Sequence, residues 1–295
     1  MKTERKPGRL PPWFKIRLTA GAAFSAVQRQ VQANNLHTVC RSAACPNRAE
    51  CWSAGTATFL ILGNVCTRGC RFCNVPQGTP QGLDLNEPKR VAAAVASLGL
   101  AYAVITSVTR DDLPDGGARI FEHTIRAIRE KAPACRVEVL IPDFQGSEDA
   151  LRTVLSAKPD VLNHNLETVP SLYPRVRPQA GYHQSLELLA RAYDHGSVTK
   201  TGLMVGLGEG IDELRLVMAE LRESGCAILT IGQYLQPNKT LLPVDRYYHP
   251  DEFDQLKQEA LAMGFRHVEA GPLVRSSYYA GSYGANAECG VPSVK

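Results

Sequence analysis

Six of the nine cysteines in this 295-residue chain fall between Cys40 and Cys73, in two triples of different spacing. Cys66-Thr-Arg-Gly-Cys70-Arg-Phe-Cys73 reads C-x3-C-x2-C. Three thiolates on one short loop can hold three irons of a cubane and leave the fourth without a protein ligand, open to a small chelating molecule. A zinc knuckle would want a closed set of four ligands, and no second C-x2-C hook completes one. Cys40-Arg-Ser-Ala-Ala-Cys45-Pro-Asn-Arg-Ala-Glu-Cys51 reads C-x4-C-x5-C, a triple that also needs a fourth ligand from elsewhere. Cys135, Cys226 and Cys289 stand alone, and each reads as a buried or incidental thiol.

Chemistry carried on loops needs elements that hold the loops still. Past residue 56, short apolar runs alternate with amphipathic stretches. The runs predict strands over 57–63, 102–108, 136–142, 161–166, 201–207, 228–235 and 267–274. Between them the pattern predicts helices, the first entered through an Asn86 N-cap, with Pro88 near N1, and stopped at Gly99. The others are expected over 117–131, 147–157, 184–195, 211–224 and 251–263. Such alternation implies right-handed βαβ units and a parallel sheet. The fold class expected is α/β, a partial (β/α)6 barrel of TIM type. Its extensions are residues 1–56, with the second cysteine triple, and a C-terminal strand and tail over 267–295. The barrel itself would span 57–266. No G-x-G-x-x-G follows the first strand, where Gly63-Asn64-Val65-Cys66 stands instead, which argues against an open dinucleotide-binding sheet. In parallel barrels the chemistry sits at the C-terminal strand ends, and the motifs fall there.

Composition sets the class. With 44% hydrophobic and 21% charged residues, the chain reads as an ordinary globular protein. At this length folding can bury roughly 75% of the extended chain's surface, so the cysteines are not needed to supply a core. The longest apolar run, Leu98 to Ile105, is far short of the about 20 residues of a membrane span. The basic start lacks a continuous apolar stretch and a small-residue cleavage site, which predicts a cytoplasmic protein with no membrane partner. In that reducing compartment, clustered cysteines bind metal more often than they pair. A net charge of +4 is mild, and no basic module for nucleic acid is evident.

The first triple resembles the cluster-binding motif of the radical S-adenosylmethionine (SAM) superfamily. That resemblance implies a [4Fe-4S] cluster on Cys66, Cys70 and Cys73, with SAM chelating the open iron and cleaved reductively to a 5′-deoxyadenosyl radical. Such a radical removes hydrogen from unactivated carbon, which acid-base chemistry cannot do. Over residues 37 to 280 the chain is similar to the lipoyl synthase family. The matching segments include HTVCRSAACPNRAECW (37–52), GTATFLILGNVCTRGCRFCNV (55–75), VITSVTRDDLPDGGA (104–118), NHNLETVPSLYPRVRP (163–178), TGLMVGLGE (201–209) and Arg275-Ser276-Ser277-Tyr278. The resemblance implies a second [4Fe-4S] cluster on Cys40, Cys45 and Cys51, with Ser277 as its fourth ligand and catalytic residue. Oxygen matches iron-sulfur chemistry less well than thiolate, which fits a cluster consumed as a sulfur store. The implied reaction inserts sulfur at C6 and C8 of an octanoyl chain, and uses two SAM per product. Its implied partners are an octanoylated lipoyl carrier domain or H-protein, an electron donor of ferredoxin or flavodoxin type and a cluster-reassembly protein. A monomer is expected.

The family context places Phe72 near the SAM adenine and Ser107 near its amino group, ahead of the turn aspartates Asp111 and Asp112. Asn163, Asn165 and Glu167 alternate onto one face of the fourth strand, and Glu167 suits ribose hydroxyls. Arg175 and Arg177 are expected at the SAM carboxylate. Gly202 and Gly206 would let adenine approach the backbone, a role that close packing serves equally well. Trp13 and Phe14 are expected to cover the barrel mouth or touch the carrier. The family pattern continues after Tyr278 with His-Ala and an acidic residue, where this chain has Tyr279-Ala280-Gly281. The rival readings are a two-cluster radical-SAM enzyme acting on tRNA and an iron-sulfur electron carrier.

Overall fold

From the second strand to the seventh, each strand of the sheet feeds a helix, as the alternating pattern predicts. The computed structural model describes residues 10–15, 21–53, 57–278 and 280–281; Tyr279 and Cys289 lie outside the described residues. The elements are α1 (Ala22–Ala33), β1 (His37–Thr38), α2 (Val39–Ser42), α3 (Arg48–Ser53), β2 (Thr58–Ile61), α4 (Glu87–Ser97), β3 (Tyr102–Ser107) and α5 (Ala118–Lys131). They continue with β4 (Arg136–Leu140), α6 (Glu148–Ser156), β5 (Val161–Asn163), α7 (Tyr173–Val176), α8 (Tyr182–Asp194), β6 (Thr199–Val205), α9 (Ile211–Glu223), β7 (Ile228–Gln233), α10 (Pro250–Ala262) and β8 (His267–Gly271). The sheet runs in chain order, β1 antiparallel to β2 and every later pair parallel. Among the described residues β8 does not pair back onto β1 or β2, so the sheet is an open partial barrel.

Strand alternation sorts the side chains into two layers. Ile61, Ile105 and Val139 point outward beneath Val95 of α4 and Phe121 and Ile125 of α5. Leu203, Leu229 and Val268 do the same beneath Leu214 and Val217 of α9 and Phe253 of α10. Each such side chain, essentially unexposed, contributes about 1.5–3 kcal/mol by leaving water. Val27 and Val31 of α1 belong to the first of these cores, so the N-terminal extension packs as part of the barrel wall.

The inward layer is polar at depth. Lys200 Nζ lies 2.8 and 3.0 Å from the two Glu138 oxygens, Tyr102 OH donates to Glu138 at 2.8 Å, and Asn163 Nδ2 donates at 3.0 Å. Burial lowers the Lys200 pKa, and Glu138 opposes that shift. Ala280 packs with Tyr102, Val104, Val161 and Ile228 in the same interior.

One local expectation changes. Asn86 occupies the N-cap of α4, but its backbone is already helical and its side chain makes no cap bond. Its N–H donates instead to Asp84 Oδ1 at 2.9 Å, so the turn before the helix is built on Asp84. Gly99 does end α4, with φ +61° and its N–H on Ala96 O. Trp13 and Phe14 pack edge-on against His249 and Tyr247, just ahead of α10.

Candidate functional site

The loop leaving β2 carries the first triple, and its backbone is stapled on several sides. Cys66 N–H donates to Pro76 O at 2.8 Å and Gly78 N–H to Cys66 O at 3.0 Å, closing the loop on itself. Thr67 N–H reaches Thr109 O, Arg71 N–H reaches Val176 O, and Leu242 N–H reaches Arg71 O. The loops after β3 and β7 and the end of α7 therefore all grip it. The Cys66 sulfur accepts from Thr109 N–H at 3.3 Å and Arg68 N–H at 3.5 Å.

Arg68 inside this loop was not singled out by its sequence context. Its Nε and Nη2 fork onto Asp111 at 2.6 and 2.9 Å, and its Nη1 and Nη2 fork onto Asp143 at 2.7 Å each. Burial works against its charge, yet the hydrogen bonds to Asp143 and Asp111 hold its pKa above the ordinary value. Asp111 and Asp112 are both engaged, the latter with Arg110 at 2.8 Å, and neither lines the cavity between the two triples.

Long-range contacts assemble the second triple. Cys40 lies in α2, Cys51 in α3 and Cys45 on the turn between them. Asn47 Nδ2 donates to Leu273 O at 2.6 Å, and Tyr278 OH reaches the Glu50 carboxylate at 3.4 Å. These bonds bring the loop after β8 onto the N-terminal segment. Asn74 Nδ2 donates to Ser42 O at 3.1 Å, which joins the two cysteine segments at the rim, and Asn74 Oδ1 accepts from Asn238 Nδ2 at 2.8 Å.

One cavity of about 520 Å³ opens between them, lined by all six clustered cysteines and by Ser277. Phe72, Ser107, Asn165 and Glu167 line it as well. Asn163 and Arg175 do not. Strand alternation does turn Asn163 inward, but one layer too deep, where Glu138 takes its amide. Arg175 sits near Gly208, and it is Arg177 that reaches the wall, donating to Asn165 O and Leu166 O at 2.9 and 3.1 Å. Gly202 lines the cavity, and a Cβ there would lie 2.9 Å from both Asn165 Oδ1 and Thr230 Oγ1. Gly206 is instead a packing position, because a Cβ would fall 2.5 Å from Arg246 O at φ +95°.

Cys135 and Cys226 are buried in the protein core, their sulfurs donating to backbone carbonyls. His164, also at the wall, bonds Ile141 O and Ser185 Oγ, and burial lowers its pKa to about 4. Arg275 lines the cavity beside Cys45 and Glu167; burial lowers its pKa, and those two groups oppose the shift.

The donor set fits iron-sulfur clusters and a zwitterionic nucleoside ligand. Burial pushes the Cys45 and Cys70 thiols up, and Cys51 and Cys73 up to about 12, so cluster uptake must expel their protons. Ser107 Oγ and Asn165 Oδ1 are buried at the wall with no protein hydrogen-bond partner, a state that a bound polar ligand would relieve. Among the described residues no three His, Cys, Asp or Glu side chains are grouped as ligands of one metal ion. A cluster spreads its thiolates over separate irons and does not require that grouping.

Residues 60–221 match the family described as Radical SAM superfamily, and residues 1–45 match the N-terminal domain of lipoyl synthase. The chain is 58% identical to the lipoyl synthase of Rubrobacter xylanophilus over 92% of this chain and 85% of that one. It is also 58% identical to that of a Roseiflexus species, over 92% and 91% of the two chains. The chain belongs to the lipoyl synthase family. Against the lipoyl synthase of Pelodictyon phaeoclathratiforme it is 55% identical over 94% of this chain and 95% of the other. Methylornithine synthase resembles this lipoyl synthase family member in fold, with a TM-score of 0.55 at 13% identity over 85% of this chain and 79% of that one. Streptococcus suis SuiB bound to S-adenosylmethionine gives a TM-score of 0.58 at 9% identity, over 84% and 62%. Superfamily membership brings a [4Fe-4S] cluster and SAM with it.

Proposed function

We propose that this chain inserts two sulfur atoms, at C6 and C8, into an octanoyl chain carried on a lipoyl domain or H-protein. The observation that carries the reading is the single cavity bounded by both cysteine triples and Ser277. Cys66, Cys70 and Cys73 would hold the first cluster. With SAM bound, that cluster supplies a radical able to take hydrogen from a saturated carbon. Cys40, Cys45, Cys51 and Ser277 would hold the second, which is consumed as the sulfur substrate.

The protein's part is placement and exclusion of water. Ser107 offers its unpartnered hydroxyl to the SAM ammonium, Phe72 packs with Val176, Leu207 and Tyr234 as an adenine wall, and Glu167 faces ribose. Leu60, Leu140 and Met204 supply apolar lining suited to an alkyl chain. Holding C6 or C8 between the two sites in a dry pocket replaces a search in solution by a fixed geometry. An electron donor of ferredoxin or flavodoxin type and a cluster-reassembly protein complete the scheme. No helix among the described residues is long and apolar enough to cross a membrane, and a cytoplasmic setting suits oxygen-sensitive thiolates.

The test is anaerobic turnover of an octanoylated lipoyl-domain peptide with SAM and reductant, followed by mass spectrometry. Two added sulfurs and about eight irons per reconstituted chain are expected. A product without sulfur, or a chain that takes up only half that iron, would refute the reading.

A further inference from the structure

We propose that Arg68 is a positioning residue for the first cluster: clamped between Asp111 and Asp143, it fixes the Cys66–Cys70 loop so that Thr109 N–H reaches the Cys66 sulfur. The proposal rests on the reading of Cys66, Cys70 and Cys73 as cluster ligands, and adds what tunes that cluster.

Arg68 ties together the loops that follow three successive strands, β2, β3 and β4. Two forks engage two carboxylates through four hydrogen bonds of 2.6 to 2.9 Å. The Arg68–Asp143 half is dry, with side-chain exposures of 6% and 0%, while Asp111 is 24% exposed at the edge. A buried ion pair is weak evidence for stability, because desolvation offsets most of the attraction, so its value lies in the geometry it enforces. Only a planar guanidinium can present two forks at once; a lysine ammonium cannot.

What the clamp holds in place is visible beside it. Thr67 Oγ1 donates to Thr109 O and accepts from Asp111 N–H, both at 3.1 Å. Together Thr67 and Arg68 set the register between the cysteine loop and residues 109–111. In that register Thr109 N–H points at the Cys66 sulfur from 3.3 Å. An N–H donated to a cluster thiolate stabilises the reduced, more negative state and so raises the reduction potential. Ser107 ends β3 two residues earlier, so the same register sets its hydroxyl relative to the cluster loop.

The experiment compares the full chain with Asp111→Asn, Arg68→Lys and the triple variant Arg68→Met, Asp111→Asn, Asp143→Asn. The triple variant leaves no charge of the clamp buried alone, so it should melt close to the parent. Each is reconstituted, assayed for iron, and its two clusters are titrated by EPR-monitored reduction. All three variants should load both clusters, shift the first to a more negative potential and leave the second unchanged. Reductive SAM cleavage should fall about tenfold, the lower end for loss of a group behind a metal ligand. Arg68→Lys combined with Asp111→Asn should fall no further than Arg68→Lys alone, since both break one device. An unchanged first-cluster potential in the loaded variants, or an equal shift of both clusters, overturns the proposal. If the parent chain itself binds no cluster at Cys66, Cys70 and Cys73, the underlying ligand reading fails instead.

Discussion

The two cysteine triples line one cavity but are held by different means. The first occupies a single loop between β2 and α4, closed by its own backbone bonds and by the doubly forked Arg68. The second runs along short helices of the N-terminal segment and meets Ser277 only because distant parts of the chain dock, Asn47 on Leu273 and Tyr278 on Glu50. A site braced by the loops that follow successive strands suits a group that stays through many turnovers. One assembled from separable parts suits the sacrificial role proposed for the second cluster.

The sharpest way to break this contrast is to remove one thiolate from each triple. Cys70→Ala should abolish reductive SAM cleavage and lipoyl product together. Cys45→Ala should leave SAM cleavage largely intact while product disappears, as read by 5′-deoxyadenosine release against lipoyl mass. If both variants lost SAM cleavage equally, the two triples would not be separate sites. Next in size, Ser277→Ala should spare the iron of the first site and its SAM cleavage but depress sulfur insertion; normal product would remove Ser277 from the second site.

A third experiment concerns the acid stability of the barrel wall. His164 is buried neutral, with a pKa lowered to about 4 against an unfolded value of about 6.5. Between these values the unfolded chain binds the extra proton, so stability is complete above pH 6.5 and lost as pH falls toward 4. The difference amounts to about 3 kcal/mol. His164→Gln should flatten the melting temperature between pH 4.5 and 7 relative to the parent. An equally steep loss in the variant would assign the acid sensitivity to other groups.

The smallest effect belongs to the docking of the second half. Asn47→Ala removes one side-chain bond to Leu273 O and should weaken stability by about 1 kcal/mol. It should also speed hydrogen exchange at residues 273–278 but not at 66–75. Exchange rising in both segments would mean that the two sites share one support.

Much of this layout was legible in the sequence, for reasons that can be named. Strands such as Arg136–Leu140 and helices such as Ile211–Glu223 lie within a few residues of their expected places because apolar period and end signals agree there. The N-terminal helices and β1 were not foreseen. Of these, α2 and α3 are short, and β1 exists only through its pairing with β2. At the site, residue type and spacing singled out the thiols, but Asn165 and Glu167 reach the cavity wall from the loop beyond β5, Glu167 at φ +70°, and not by strand alternation, because the strand expected over 161–166 ends at Asn163. Alternation gave a face but no depth, so Asn163 fell to Glu138 instead. Arg68 carried no readable signal, because its partners lie 43 and 75 positions along the chain and meet it only once the strand ends are assembled.

Ala280 sits with Tyr102 and Val104 inside the barrel, and Asn47 grips Leu273, so Ser277 is moored on both sides. The stretch from Ser277 to Ala280 allows its hydroxyl an excursion of about 10 Å at most. On the proposed reading, a serine on so short a leash could let go of an iron and find it again while Ala280 keeps its place inside the barrel.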